Sequence, residues 1–316
     1  MNSYISTFSS ISVIILLIGF VVILKALGLF KKEDGALFSK IVIQVTLPAT
    51  IFLVLSHAKS LELDYLLISF YMLSVEVIVL FLVWLVGKKL SISSRELGTL
   101  MLVSAFGSSA LLGYVIIAQI FPENNAVMSE AVMISELGVG IGLFVIGTMV
   151  AIFFGESSGV KQTPLKSFVT FLKSPIFLAI VFGILYSFLS LPLHEEVFKE
   201  FFSALSFVSA ANTFFVVLSV GVLLEFTNIM SIIKLVLIAI FFKLFVSPFL
   251  IYLLASTIPL ESWQLEVALI ESAMPSAMLS VVLAARYGCD AKLASKLVFI
   301  TTLISMISIT LISSLY

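Results

Sequence analysis

The sequence predicts an all-α polytopic membrane protein of ten transmembrane helices, built as a 5+5 inverted-topology repeat with broken, crossing helices 4 and 9. Three observations carry this prediction. Hydrophobic residues are 61% of the 316 positions and charged residues 11%, against roughly 25% charged in soluble domains. The apolar residues fall in runs of the length a helix needs to cross the hydrocarbon core, about 20 residues. Two pairs of segments, 163 and 168 residues apart, repeat one another.

Cutting at charged and turn-forming clusters places the helices of the first repeat at 9–30, 37–57, 65–87, 97–121 and 126–154. Those of the second fall at 169–191, 198–224, 232–256, 263–286 and 292–315. The tail "MNSYISTFSS" has no basic residue, and no small-residue cleavage pattern follows the first apolar run, so that run is expected to be a retained helix rather than a signal peptide. Alternate connections carry Lys31, Lys32 and Lys40; Lys88, Lys89 and Arg95; Lys161, Lys166 and Lys173; Lys234; and Arg286, Lys292 and Lys296, whereas the other set carries only Lys59 and Lys199. The positive-inside rule makes the first set cytoplasmic, with both termini extracytoplasmic. The organisation expected is a first five-helix repeat over 1–154, a cytoplasmic linker over 155–168 and a second repeat over 169–316.

The repeats are visible in two places. "TLPATIFLVLS" from Thr46 matches "SAANTFFVVLS" from Ser209, and "SAFGSSALL" from Ser104 matches "SAMPSAML" from Ser272 with one gap. An odd number of helices per repeat obliges the second to enter the membrane from the opposite side, the architecture of many secondary transporters.

The same segments interrupt their helices. Gly107 and Gly113 flank "FGSSALLG" in helix 4, and Pro275 sits in "AMPSAM" in helix 9. Proline inside a helix removes a donor and clashes with the preceding turn, at about 3 kcal/mol or more. Lipid cannot satisfy the freed backbone groups, and a half-helix N-terminus offers unpaired N–H groups to an anion. Gly107, Ser108, Ser109, Pro275 and Ser276 are therefore candidate substrate contacts, with Pro48 and Asn212 from the other repeated pair. The alternative is that the glycines and serines only mediate close helix packing and Pro275 only kinks its helix.

Four ionisable residues lie deep in the spans: Glu76, Glu136, Lys243 and Glu271. Each costs a few kcal/mol at the bilayer centre and needs a protein or water partner. Lys243 has two readings, a structural ion pair with Glu136 or Glu76 and a part in transport. Glu271 precedes Pro275 by about one turn, where its carboxylate can bind sodium with freed carbonyls and hydroxyls, carry a coupling proton, or serve structure alone.

Other chemistries find little support. One cysteine, Cys289, excludes a disulfide framework and cysteine metal clusters, and two histidines, His57 and His194, exclude a three-histidine site. A net charge of -1 argues against nucleic acid. An intramembrane enzyme lacks a Gly-x-Ser-x-Gly elbow and a mid-membrane histidine base.

The run from Ala273 to Met306, with AMPSA, Tyr-Gly before an Asp, Leu-Ala-Ser and paired threonines, resembles the C-terminal signature of the auxin efflux carrier family and its bacterial malate and malonate permease-like members. "VTLPATIF", Val45 to Phe52, resembles the family's helix 2 motif. The resemblance implies transport of small carboxylates by helices 3 to 5 and 8 to 10 moving against helices 1, 2, 6 and 7. This chain departs from it in having Ser108, Ser109, Ala110 and Val115 where members carry an Asn-Thr/Ser-Gly run and a proline, and Asn212 and Thr213 where a proline is usual.

The expectation is a secondary active transporter of small organic anions in the cell membrane. No cofactor is expected beyond sodium or a proton as coupling ion; a homodimer is compatible with the fold. A non-transporting receptor or scaffold on a carrier fold is the main alternative, and an enzyme the weakest.

Overall fold

A computed structural model describes residues 16–56, 63–122, 124–155, 172–189, 195–224 and 230–313, with Val13 and Val169 besides. His57, His194, linker residues 156–168 and both chain tails lie outside the described residues.

All regular structure among the described residues is helical. In chain order, α1 is Leu16–Ala26, and α2 joins Lys32–Ile41 to Leu47–Ser56 through the π-helical turn Val42–Thr46. The continuous helix α3 is Leu63–Lys89. Next come α4a, Ser94–Ala105, and α4b, a π-turn Ser109–Gly113 running into Tyr114–Ile120. The helix α5 runs through Asn125–Met133, two π-helical stretches Ile134–Gly140 and Gly142–Gly147, and Thr148–Phe154. In the second half, α6 is Pro175–Leu189, and α7 is Glu195–Ala210 with Asn212–Leu223. The helix α8 joins Ile233–Ile240 to Ser247–Ala255 through π-helical Phe241–Val246. Last are α9a, Ser262–Ser272, α9b, Leu279–Tyr287, and α10, Ala291–Ser313.

Five of these stretches are long and apolar enough to cross a membrane: Tyr65–Lys89, Ala126–Phe154, Lys199–Val222, Ile233–Ala255 and Ala291–Ile312. Ser109–Ile120 is shorter because the span expected at 97–121 is cut at Phe106–Ser108. Large apolar side chains point outward along many of the helices; Phe153 is 80% exposed and Phe207 82%. Such an apolar outer face suits lipid rather than water.

Local chemistry explains where the broken helices begin and end. Ser93 caps α4a by accepting from the Glu96 amide while its hydroxyl donates to the Glu96 carboxylate at 2.6 Å. A reciprocal pair, Glu261 and Gln264, opens α9a. Gly288 closes α9b at φ 83°, a left-handed conformation that suits glycine.

The helices pack in two groups. Leu47–Ser56 of α2 lies along α6 and against α7, Lys32–Ile41 packs on Asn212–Leu223, and α1 meets α7 where Val21 abuts Gly221. The other group holds α3, α4, α5, α8, α9 and α10, with α3 against α5 and α4a, and α10 against α8, α4a, α9a and α9b. The start of α4a meets the C-terminal end of α5 and the turn between α9b and α10. There Arg95 Nε donates to Gly288 O at 3.0 Å, Ser94 Oγ to Phe154 O at 3.0 Å, and Thr99 Oγ1 accepts from the Asp290 amide at 2.9 Å. These belong to the lysine- and arginine-rich connections.

Candidate functional site

Where α4 and α9 are interrupted, the two extended segments run antiparallel and pair as a single bridge, Gly107 opposite Ser276. The Ser108 amide donates to Pro275 O at 2.7 Å and the Ala277 amide to Phe106 O at 2.9 Å. Each break thus satisfies backbone groups the other has freed, which lipid could not do. Side chains complete the repair. Ser276 Oγ donates to Val103 O at 2.5 Å, Thr301 Oγ1 of α10 donates to Ser276 Oγ at 3.0 Å, and Ser280 Oγ donates to Leu102 O at 3.3 Å. The terminal carbonyls of α4a are capped by residues of α9.

Lys243 caps the other broken end. Its Nζ donates to Ser272 O, in the last turn of α9a, at 2.8 Å, which sets a cation at the negative end of that helix. The ammonium also reaches the crossing, 3.1 Å from the point that a Cβ on Gly107 would occupy. The Lys243 ammonium thus caps a helix end, and of the two carboxylates considered as its ion-pair partners Glu76 is the one that acts on it. Glu76 and Glu271 are the carboxylates whose fields Lys243 feels.

All four deep ionisable residues are buried, at 1% exposure for Glu76, 3% for Glu136, 2% for Lys243 and 0% for Glu271. Among the described residues neither carboxylate oxygen of Glu76 or of Glu271 has a hydrogen-bond partner. Glu271 lies against α4b, its Oε1 2.7 Å from where a Cβ on Gly113 would be; glycine is what lets the two helices meet there. Glu136 is held by Tyr114, whose hydroxyl donates to Oε1 at 2.7 Å, and it lies near enough to Glu271 to repel it. Among the described residues no three or more His, Cys, Asp or Glu side chains gather as a metal site.

A cavity of about 50 Å³ lies beside the crossing, bounded by the α4 break from Gly107 to Leu111, by Ser135, Glu136 and Gly140 of α5, by Met278 of α9, and by Leu47 and Ile176 of the other helix group. Ser108, 4% exposed, lines it, and its hydroxyl has no hydrogen-bond partner among the described residues. Ser109 Oγ and Ser135 Oγ share a hydrogen bond of 2.9 Å.

The structure brings Gly107, Ser108, Ser109 and Glu136 to this cavity, with Pro275 and Ser276 in its backbone frame and Glu271 and Lys243 behind it. Two expected contacts lie elsewhere. Asn212 Oδ1 accepts from Thr46 Oγ1 at 2.7 Å and ties α7 to α2. Pro48 faces a separate apolar groove of about 770 Å³ among α2, α6 and α7, because it is Leu47, one position earlier, that turns toward the crossing. Ser276 is fully engaged by Val103 and Thr301, a structural part rather than a free ligand. Sequence reasoning did not single out Tyr114, Ser135 or Thr301, nor the buried Glu130 and Glu266. The π-helical turns carry a signal visible only in three dimensions: Ser109, Glu136 and Lys243 all sit in one. Such turns often mark functional sites in helices.

Paired breaks in a lipid-facing helical protein, with buried charge around a small cavity, are features of a membrane carrier. Residues 9–313 match the family described as Membrane transport protein, and the chain belongs to this family. It is 30% identical to an uncharacterized transporter of Methanocaldococcus jannaschii over 304 residues, 95% of each chain. It is 26% identical to an uncharacterized transporter of Methanothermobacter thermautotrophicus over 308 residues, 97% of each chain.

Proposed function

We propose that the chain is a secondary active transporter that moves small carboxylates across the cell membrane, coupled to a sodium ion or a proton. In this reading the fold is a ten-helix inverted repeat with both termini extracytoplasmic. The group α3–α5 with α8–α10 shifts against α1, α2, α6 and α7. The observation that carries the reading is the antiparallel pairing of the two breaks beside two buried side chains that lack hydrogen-bond partners among the described residues, the Ser108 hydroxyl and the Glu271 carboxylate.

The physical argument runs from those groups. The first amides of α4b, at Ser109, Ala110 and Leu111, precede the first bonds to Ser108 O, donated by Leu112 and Gly113. Amides so placed attract a carboxylate, and Ser108 adds a hydroxyl donor. Glu271, fully buried and without a hydrogen-bond partner among the described residues, needs a cation or a proton before its surroundings can move through apolar contact. Binding of both substrate and ion discharges the site, and only then can the two helix groups slide past one another cheaply.

The test is flux of radiolabelled carboxylates into proteoliposomes under imposed sodium and proton gradients. Ser108→Ala is expected to raise the apparent KM, at about 0.5–1.5 kcal/mol for the lost bond. Glu271→Gln keeps the shape and cancels the charge, so accumulation should stop while substrate-for-substrate exchange persists. Unchanged kinetics in both variants would move the site elsewhere.

A further inference from the structure

We propose that the substrate of this cavity is a zwitterion the size of glycine or alanine, bound by its carboxylate at the α4 break and by its ammonium at Glu136. This deepens the carboxylate-carrier reading above and rests on it.

The cavity is small. At about 50 Å³ it holds only a few waters, so the ligand that fits this conformation has few heavy atoms. Its lining carries groups of both signs. Ser108, whose hydroxyl has no hydrogen-bond partner among the described residues, lines it together with Ser109, Ala110 and Leu111 of the first turn of α4b, and the Lys243 ammonium lies close to Gly107. Glu136, 3% exposed, lines it as well, and its two oxygens are used differently. Oε1 accepts from Tyr114, which fixes the carboxylate's orientation. Oε2 accepts no hydrogen bond from the described residues and lies beside the cavity-lining Gly140, 3.4 Å from where a Cβ on that residue would be.

A plain monocarboxylate answers only half of this arrangement. Its anionic end meets the amides, while its apolar body lies against Glu136 and strips the carboxylate of water without replacing the lost hydrogen bonds. An ammonium group supplies three donors and a positive charge at that spot. Glu136 Oε2 and the hydrogen-bonded Ser109 and Ser135 hydroxyls are acceptors within the same wall. Tyr114 is then a positioning residue, holding Oε1 so that Oε2 faces the ligand.

The experiment compares probes that differ by one group. Wild-type protein in proteoliposomes is assayed for uptake of labelled glycine, and for inhibition of that uptake by alanine, acetate, malonate and methylamine. Alanine should compete with glycine, acetate and malonate should be roughly tenfold weaker or worse for want of the ammonium, and methylamine should not compete. Glu136→Gln should reverse the preference, binding acetate at least as well as glycine. The wild-type comparison stands even if that variant does not fold. Labelled acetate or malonate taken up as well as glycine by the wild type overturns the zwitterion assignment and leaves the carboxylate carrier intact. If none of these carboxylates binds, both readings fail together.

Discussion

Lys243 ties three parts of the site together: it caps α9a at Ser272, borders the crossing at Gly107, and supplies the positive charge nearest Glu76 and Glu271. Lys243→Met keeps much of the side-chain volume but leaves a carbonyl uncapped and buried carboxylates without a cation. Breaking a buried charge arrangement in this way costs about 3–5 kcal/mol, so the melting temperature in detergent should fall markedly. A melting curve like that of the wild type would show that the cap is dispensable. Gly113→Ala places a methyl 2.7 Å from Glu271 Oε1 and should displace that carboxylate, lowering concentrative uptake more than it lowers the melting temperature. Equal uptake by the two proteins would separate Glu271 from coupling. Cys289 offers a control. Burial pushes its thiol up to about 11, against a smaller opposing pull from Arg95, so it stays protonated at neutral pH and ionises only as the pH climbs toward that value. Alkylation of the native protein with maleimide at pH 7.5 should be slow and should quicken on denaturation; rapid labelling would contradict this. At this scale the sequence was legible where chemistry is rare in lipid. Glu76, Glu136, Lys243 and Glu271 stand out by burial cost alone, whereas the duties of Tyr114 and Thr301 depend on partners 22 and 25 residues away that no local pattern reveals.

The broken helices behave as one unit, since the missing bonds of α4 are made by α9 and the reverse. Amide exchange should show this directly. The amides of Ser108 and Ala277, although outside any helix, donate to Pro275 O and Phe106 O and should exchange slowly, while those of Ser109, Ala110 and Leu111 should exchange faster. Fast exchange at Ser108 and Ala277 would mean that the two breaks do not hold each other. Ser276→Ala removes bonds to Val103 and from Thr301, at about 0.5–1.5 kcal/mol each, so it should act on stability rather than on apparent affinity. The breaks themselves were legible, because Pro275 removes a helical donor and Gly107 of helix 4 has a backbone with more freedom to lose on forming helix. Their pairing partner was suggested by the repeat between Ser104 and Ser272. The π-turns were not legible: glycine, β-branched and aromatic residues recur in them, but the same residues also fill the regular α-helical stretches of this chain, so nothing local marks the wider turn.

Across the whole molecule, two helix groups meet at a small cavity with Leu47 and Ile176 on one side and the crossing on the other. Tying the two sides should arrest a carrier of this kind. Cysteines at Leu47 and Val139, which face the same cavity, should stop flux when bridged by a bifunctional reagent and restore it on reduction if the bridge is cleavable. Orientation is testable on exposed loop residues: by the lysine and arginine asymmetry, cysteines at Ser91 and Thr257 should label from opposite sides of intact cells. The all-helical class and the two interruptions were readable in one sequence, since each reflects what a bilayer demands of any chain. The division into two groups was not readable from composition, because helices apolar on every side carry little record of which neighbours they face; only the family resemblance suggested it. The central claim, that the crossing binds a carboxylate and Glu271 couples its movement to an ion, is tested most directly by concentrative uptake of labelled glycine and malonate into proteoliposomes, wild type beside Glu271→Gln. The account predicts gradient-driven accumulation of at least one of them by the wild type and none by the variant. Accumulation by neither protein under any sodium or proton gradient, or equal accumulation by both, would contradict it.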